Sequence, residues 1–270
     1  MSPDATVPAR SAGSAGSAGA AGGPVTVERR GADGAVLWVR INHPPVNALA
    51  RPVRAGLVRA AEQARDQRIR VAVLVGGDRC FSAGGDIEEL AALTDEDDAR
   101  RAHSEYLDLY RAWFTVPVPT IAAIRGYALG GGLELVLNCD LRYATPDAFF
   151  AASGVRMGLV ESAHSLPTVV PDTVAAEMLF TAHRVSAGQA AASGLVTGVV
   201  TDLEAQVFAV ATEIAQHPTT AVRATKAVLR SARGAGRAEA AETATALWRV
   251  LQRADAHRNA AATFLARHGR

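Results

Sequence analysis

The chain lacks the marks of several functional classes. Its 270 residues hold only two cysteines, Cys80 and Cys139. Both are isolated in apolar surroundings, so neither a disulfide framework nor a thiolate metal cluster is expected; they read as buried, reduced thiols. An excess of one charge is also missing. Lys+Arg is 28 against Asp+Glu 27, a net charge of +1. That balance excludes a global basic field for nucleic acid, and no nucleic-acid partner is expected. No apolar run reaches about 18 residues, so no membrane span is expected. The N-terminus has no basic stretch followed by a leucine-rich segment. The expectation is therefore no signal peptide and a cytoplasmic protein.

What is present is enough for a large core. Hydrophobic residues make up 49% of the chain. A chain of this length buries roughly 70–75% of its unfolded surface without a staple. Residues 1–24 stand apart: SAGSAGSAGAAGG is small, flexible and without large apolar side chains. That stretch is expected to be a disordered Ala/Gly/Ser-rich tail.

From Val25 onward strands and helices alternate. Val25–Arg29 and Val36–Ile41 read as a hairpin. Asn47 reads as the N-cap region of a helix over 51–67. Arg70–Gly76 and Thr120–Ile124 read as short, mainly apolar strands of the kind buried on both faces in a parallel sheet. Helices are expected at 95–113, 133–138, 173–182, 186–193, 203–216, 219–233 and 237–252, with last strand 196–200. This pattern implies an α/β core over 25–200 and a helical C-terminal region over 201–270.

Two glycine-bearing turns carry the chemistry. Phe81-Ser82-Ala83-Gly84-Gly85-Asp86 follows a buried strand. Gly130-Gly131-Gly132 opens a helix at Leu133-Glu134-Leu135. Small residues let a ligand approach the backbone, and the exposed N–H groups of such turns hold an anion. Two turns supplying one N–H each to one oxygen make an oxyanion hole. Each turn taken alone also fits a plain strand–helix connection. Neither is a dinucleotide or P-loop fingerprint.

FSAGGDIEEL at 81–90 and AAIRGYALGGGLELVLNCDLRYATPDAFFA at 122–151 resemble the enoyl-CoA hydratase/isomerase (crotonase) family. INHPPVNAL at 41–49, VRMGLV at 155–160, FTAHRVSAGQAAASGLVTGVV at 180–200 and ATKAVLR at 224–230 extend the resemblance over nearly the whole chain. The resemblance implies a crotonase-like spiral of ββα turns followed by helices that build a trimer or a dimer of trimers. It implies an acyl-CoA thioester substrate and no separate cofactor, coenzyme A being part of the substrate; no metal is expected. It assigns the oxyanion donors to Gly85 and Gly131. Ala48, Ala83, Gly84, Asp86, Ile87, Lys226 and Phe264 fall where family members contact the substrate or CoA.

Two departures bear on the reaction. Glu134 stands where family hydratases carry one glutamate, but the second glutamate position holds Gly154. The glycine-rich loop that follows in the family is here Glu161-Ser162-Ala163-His164-Ser165. Glu134 and Glu161 are the candidate catalytic carboxylates, with His164 a further candidate base. Loss of the second glutamate favours isomerase-like or atypical lyase chemistry over standard hydration. A non-catalytic acyl-CoA-binding protein on the same fold is the alternative.

Overall fold

The computed structural model describes residues 23–234 and 236–267. The expected tail over 1–24 lies almost wholly outside the described residues.

A six-stranded sheet forms the frame, built from β1 (Val25–Arg30), β2 (Val36–Ile41), β3 (Val71–Val75), β4 (Thr120–Ile124), β6 (Leu141–Ala144) and β9 (Gly198–Val199) in the order β1-β2-β3-β4-β6-β9. β1 and β2 pair antiparallel as a hairpin, and every later pairing is parallel. A second sheet holds β5 (Tyr127–Leu129), β7 (Phe149–Ala151) and β8 (Val185–Ser186). Ser82 bridges to Ala128 alongside it.

The unbroken apolar strands are explained by two cores on opposite faces of the large sheet. Successive side chains of a strand point to opposite faces. Leu37, Val39, Ala72, Leu74, Ala122 and Ile124 face one core, together with α1 (Arg51–Gln63) and α3 (Glu96–Phe114). Val36, Trp38, Val71, Val73, Ile121 and Ala123 face the other, closed by Leu203, Val207 and Ala211 of α7 (Leu203–Gln216). The expected domain border at 200 thus falls before a helix that completes the core of the sheet.

The remaining helices are α2 (Ile87–Ala91), α4 (Gly131–Leu137), α5 (Asp172–Thr181), α6 (Ala187–Ala192), α8 (Thr219–Gly234), α9 (Arg237–Leu251) and α10 (Asp255–Arg267). Several boundaries differ from expectation. Just ahead of the Gly130-Gly131-Gly132 turn lies a paired strand, β5, that the sequence reading did not assign. The last strand shrinks to two paired residues, and periodicity left α10, the last helix among the described residues, unassigned. α1 starts from Ala50 and stops four residues short of the expected end.

Asn47 is not a cap. It takes a positive φ of 51°. Its side chain accepts from the His43 N–H and donates to the carbonyls of Cys80 and Phe81. That bracket ties the 43–49 segment to the first glycine turn. Lys226 is also a correction. Its ammonium lies inside the fold, 2.6 Å from Asp140, and donates to the Val118 carbonyl at 2.7 Å. Burial pulls its pKa down to about 8 although Asp140 opposes the shift. Its charge docks α8 onto the start of β4 and is not presented to a phosphate.

Candidate active site

The two glycine turns meet. Gly84 has a φ of 94°, which an L side chain rarely adopts, and a Cβ there would stand 2.7 Å from the Leu129 carbonyl and 2.9 Å from the Gly131 nitrogen. A Cβ on Gly131 would stand 3.6 Å from the Gly85 nitrogen. At Gly84 only a residue without a side chain allows this approach. The first turn is braced from behind. Ala83 N–H donates to Val46 O and Leu49 N–H to Gly84 O. Ser82 Oγ donates to the Asn47 carbonyl at 2.7 Å and accepts from the Gly84 N–H. The second turn is the N-terminus of α4, where N–H groups lack intrahelical acceptors. Among the described residues, neither the Gly85 nor the Gly131 N–H donates a hydrogen bond.

Glu134 lies on the first turn of α4 and is 3% exposed. A buried carboxylate must be hydrogen-bonded. Ser165 Oγ donates to one of its oxygens at 2.5 Å, and Asn138 Nδ2 donates to the other at 3.1 Å. His164, on the surface, brings Nε2 to 3.7 Å from Glu134 Oε1.

Glu161 reaches the same place from the 153–165 loop. A Cβ on Gly130 would stand 2.7 Å from Glu161 Oε2, so the carboxylate lies directly over the second glycine turn. A Cβ on Gly154 would stand 2.9 Å from Glu161 Cβ and 3.0 Å from its Cγ. The side chain of Glu161 therefore fills the space that a residue at 154 would need. Burial, and then the charge of Glu134, push the Glu161 carboxyl above its ordinary range.

That shift has a measurable consequence. A carboxyl with a raised pKa in the folded state holds its proton more tightly than in the unfolded chain. Its favourable contribution is present at low pH and is lost as pH rises through the folded pKa. Glu161→Gln removes the ionisable group. Its melting temperature should match wild type near pH 4, the ordinary carboxylate range of about 4.3, and exceed it at pH 7–8. A difference that does not change with pH would contradict the proximity of the two carboxylates.

Of the other residues expected at the site, Asp86 caps α2 through Glu89 N–H. Ala48 and Ala83 are half-buried on the two braced segments, and Ile87 is 51% exposed at the rim. The side chain of Phe264 lies outside the described residues. Sequence reasoning missed Ser165 and Asn138 as partners of Glu134. Asn138 carried a signal, since it lies four residues on along the same helix face; Ser165 carried none, because only the fold of the loop aims it.

A family model described as enoyl-CoA hydratase/isomerase matches residues 31–268. The mitochondrial Delta(3,5)-Delta(2,4)-dienoyl-CoA isomerase of Mus musculus is 35% identical over 220 residues, 74% of this chain and 67% of that one. The mitochondrial enoyl-CoA hydratase of Pongo abelii is 34% identical over 184 residues, 65% of this chain and 61% of its own length, so the chain matches less than two thirds of that relative. The solved structure of an enoyl-CoA hydratase from Mycobacterium smegmatis superposes with a TM-score of 0.86 at 30% identity, covering 90% of this chain and 96% of that one.

Proposed function

The chain belongs to the enoyl-CoA hydratase/isomerase family and has the crotonase fold, and from that premise we propose that it shifts a carbon–carbon double bond within an acyl-CoA thioester. The observation that carries this reading is the meeting of two carboxylates, Glu134 and Glu161, beside two unpaired N–H groups. Gly85 and Gly131 N–H take the developing charge on the thioester oxygen, the kind of preorganised stabilisation that contributes most in such sites. Glu134, held as an acceptor by Ser165 and Asn138, removes the proton next to the carbonyl. Glu161, whose carboxyl is pushed above its ordinary range by burial and by the Glu134 charge, returns a proton to the far end of the enolate. A carboxyl that holds its proton more tightly suits the acid, and a carboxylate held by two hydrogen-bond donors suits the base. The two carboxyls then exchange one proton to reset. These steps draw on no separate cofactor; coenzyme A is part of the substrate.

Hydration is the second reading. Glu161 restores a second carboxylate in space, and two carboxylates also suffice to orient and split a water. The relatives named above include both an isomerase and a hydratase. A non-catalytic acyl-CoA binder would keep the oxyanion turns but would have no need of a buried, hydrogen-bonded Glu134 with Glu161 beside it. The reading extends to assembly. Leu229, Trp248 and Val250 are exposed on α8 and α9, the apolar surface that a trimer or dimer of trimers would cover. Among the described residues no helix is long and apolar enough to cross a membrane.

Turnover of 3-enoyl-CoA and crotonyl-CoA tests the assignment. The expected result is faster isomerisation of 3-enoyl-CoA than hydration of crotonyl-CoA. Gly131→Pro removes one oxyanion N–H and should lower turnover by about a hundredfold or more. Unchanged activity in a folded Gly131→Pro variant, or a faster hydration, would overturn the respective parts.

A further inference from the structure

The two oxyanion glycines are each faced by a tyrosine hydroxyl, and both tyrosines come from one helix. Tyr106 and Tyr110 are four residues apart on α3, so they lie one above the other on the same face. Tyr106 Oη accepts the Asp86 N–H at 3.4 Å, and it lies 3.2 Å from where a Cβ on Gly85 would be. Tyr110 Oη donates to the Gly131 carbonyl at 3.3 Å, and it lies 2.6 Å from where a Cβ on Gly131 would be. We propose that Tyr106 and Tyr110 are positioning residues, and that α3 works as a ruler setting the separation of the Gly85 and Gly131 N–H groups. This rests on the oxyanion reading above.

The ruler is held rigidly at both ends. The Arg54 guanidinium packs over the Tyr106 ring at 4.3 Å. It is itself 2% exposed and pairs with Glu89 of α2 and Glu105 of α3 at 2.8 and 2.5 Å. The same guanidinium donates to the Leu49 carbonyl at 2.7 Å, on the segment braced against Gly84. The first turn, α1, α2 and α3 are thus tied through one buried cation. At the other end Trp113, fully buried one turn beyond Tyr110, anchors α3 in the core.

Tyr110 is half-buried, and its hydroxyl is packed against Gly131. Burial and the charges of Glu134 and Glu161 hold its pKa well above the ordinary value. The phenol therefore stays a neutral donor throughout the working range. A small displacement of an oxyanion donor is costly, because stabilisation depends on where the N–H points before the reaction begins. The hydroxyls hold the peptide that follows each donor, Gly85–Asp86 for Tyr106 and Gly131–Gly132 for Tyr110, so they fix each glycine's Cα and, through it, the N–H on its other side, without touching the substrate.

The geometry makes a specific demand of substitutions. Gly131 has no positive φ, so its backbone accepts alanine; the obstacle is the Tyr110 hydroxyl at 2.6 Å, the next atoms being 3.5 and 3.6 Å away. Removing that hydroxyl should make room for the methyl.

The test uses the full chain with Tyr106→Phe, Tyr110→Phe, Gly131→Ala and the Gly131→Ala/Tyr110→Phe pair. The readouts are kcat and KM on 3-enoyl-CoA, and the red shift of hexadienoyl-CoA absorbance on binding, which reports polarisation of the thioester carbonyl. Each Tyr→Phe change should lower kcat by about three- to tenfold, the size of one neutral hydrogen bond. KM should stay within about twofold, and the red shift should shrink. Gly131→Ala alone should lose about a hundredfold, and the pair should be faster than Gly131→Ala alone. Wild-type kcat and red shift in both Tyr→Phe variants would overturn the proposal. So would a pair no faster than Gly131→Ala, or a Tyr→Phe variant that loses activity only because it unfolds. An unmodified chain that binds hexadienoyl-CoA with no red shift overturns the oxyanion reading itself; a normal shift with indifferent tyrosine variants overturns the ruler alone.

Discussion

Glu134→Gln is expected to lower turnover of 3-enoyl-CoA by about 10²–10⁴-fold, the range removed with a general base. Acyl-CoA affinity should stay within about twofold, because the amide keeps the volume and loses only the basic oxygen. The environment supports a loss at the upper end. Glu134 is 3% exposed and holds two hydrogen-bond donors, Ser165 and Asn138, on its two oxygens. A glutamine there can accept from only one of them and must aim its own NH₂ at the other. His164→Ala runs beside it as a control. That imidazole is 80% exposed and 3.7 Å from the carboxylate, and surface pairs of this kind contribute little. If His164→Ala and Glu161→Gln abolish turnover while Glu134→Gln leaves it intact, the 161–165 loop performs the chemistry and Glu134 only supports α4.

The contrast between Glu134 and Glu161 shows what a sequence makes legible. Glu134 is locally encoded. It follows the glycine turn by three residues on a helix, so its place over the turn follows from helical geometry. The buried strands are legible for the same reason: VAVLV at 71–75 has no polar residue for a solvent face, and both faces are buried. The hairpin and the helix over 95–113 also rest on neighbours in sequence. Glu161 is different. Its carboxylate is placed by contacts with Gly130, some thirty residues earlier, and by the empty space at Gly154. The turn that delivers it passes through Ser162 at a φ of 57°, a conformation no sequence pattern announces for serine. Lys226 was misread for a similar reason. The family resemblance placed it at a CoA contact, and only the tertiary fold brings Asp140, 86 positions away, beneath it. The role of Tyr110 is not legible in the sequence, because helical spacing gives a face but not what the tip of the side chain touches.

Gly154→Glu is the sharpest test of that spatial replacement. Counting along the sequence, the change restores the glutamate that family hydratases carry, so it should raise hydration. The structure reverses the expectation. The new Cβ would meet Glu161 Cβ at 2.9 Å, Glu161 Cγ at 3.0 Å and the Leu159 carbonyl at 3.0 Å, closer than packed side chains tolerate. Glu161 must leave, and the 159–165 loop that also carries Ser165 must shift with it. The single substitution is therefore expected to lower isomerase turnover by about a hundredfold, the loss of one acid/base group, without gaining crotonyl-CoA hydration. Gly154→Glu combined with Glu161→Gly empties the contested space and supplies one carboxylate from the other position. That pair should be more active than Gly154→Glu alone, and its hydration-to-isomerisation ratio should rise above wild type, because the acid now approaches the substrate from position 154. Gly154→Ala grades the effect: its methyl asks for the same space without a competing carboxylate, so a loss there isolates displacement of Glu161 from electrostatics. If Gly154→Glu alone raises hydration while isomerase turnover stays at the wild-type level, then Glu161 does not occupy the missing glutamate's place, and its role as the acid falls.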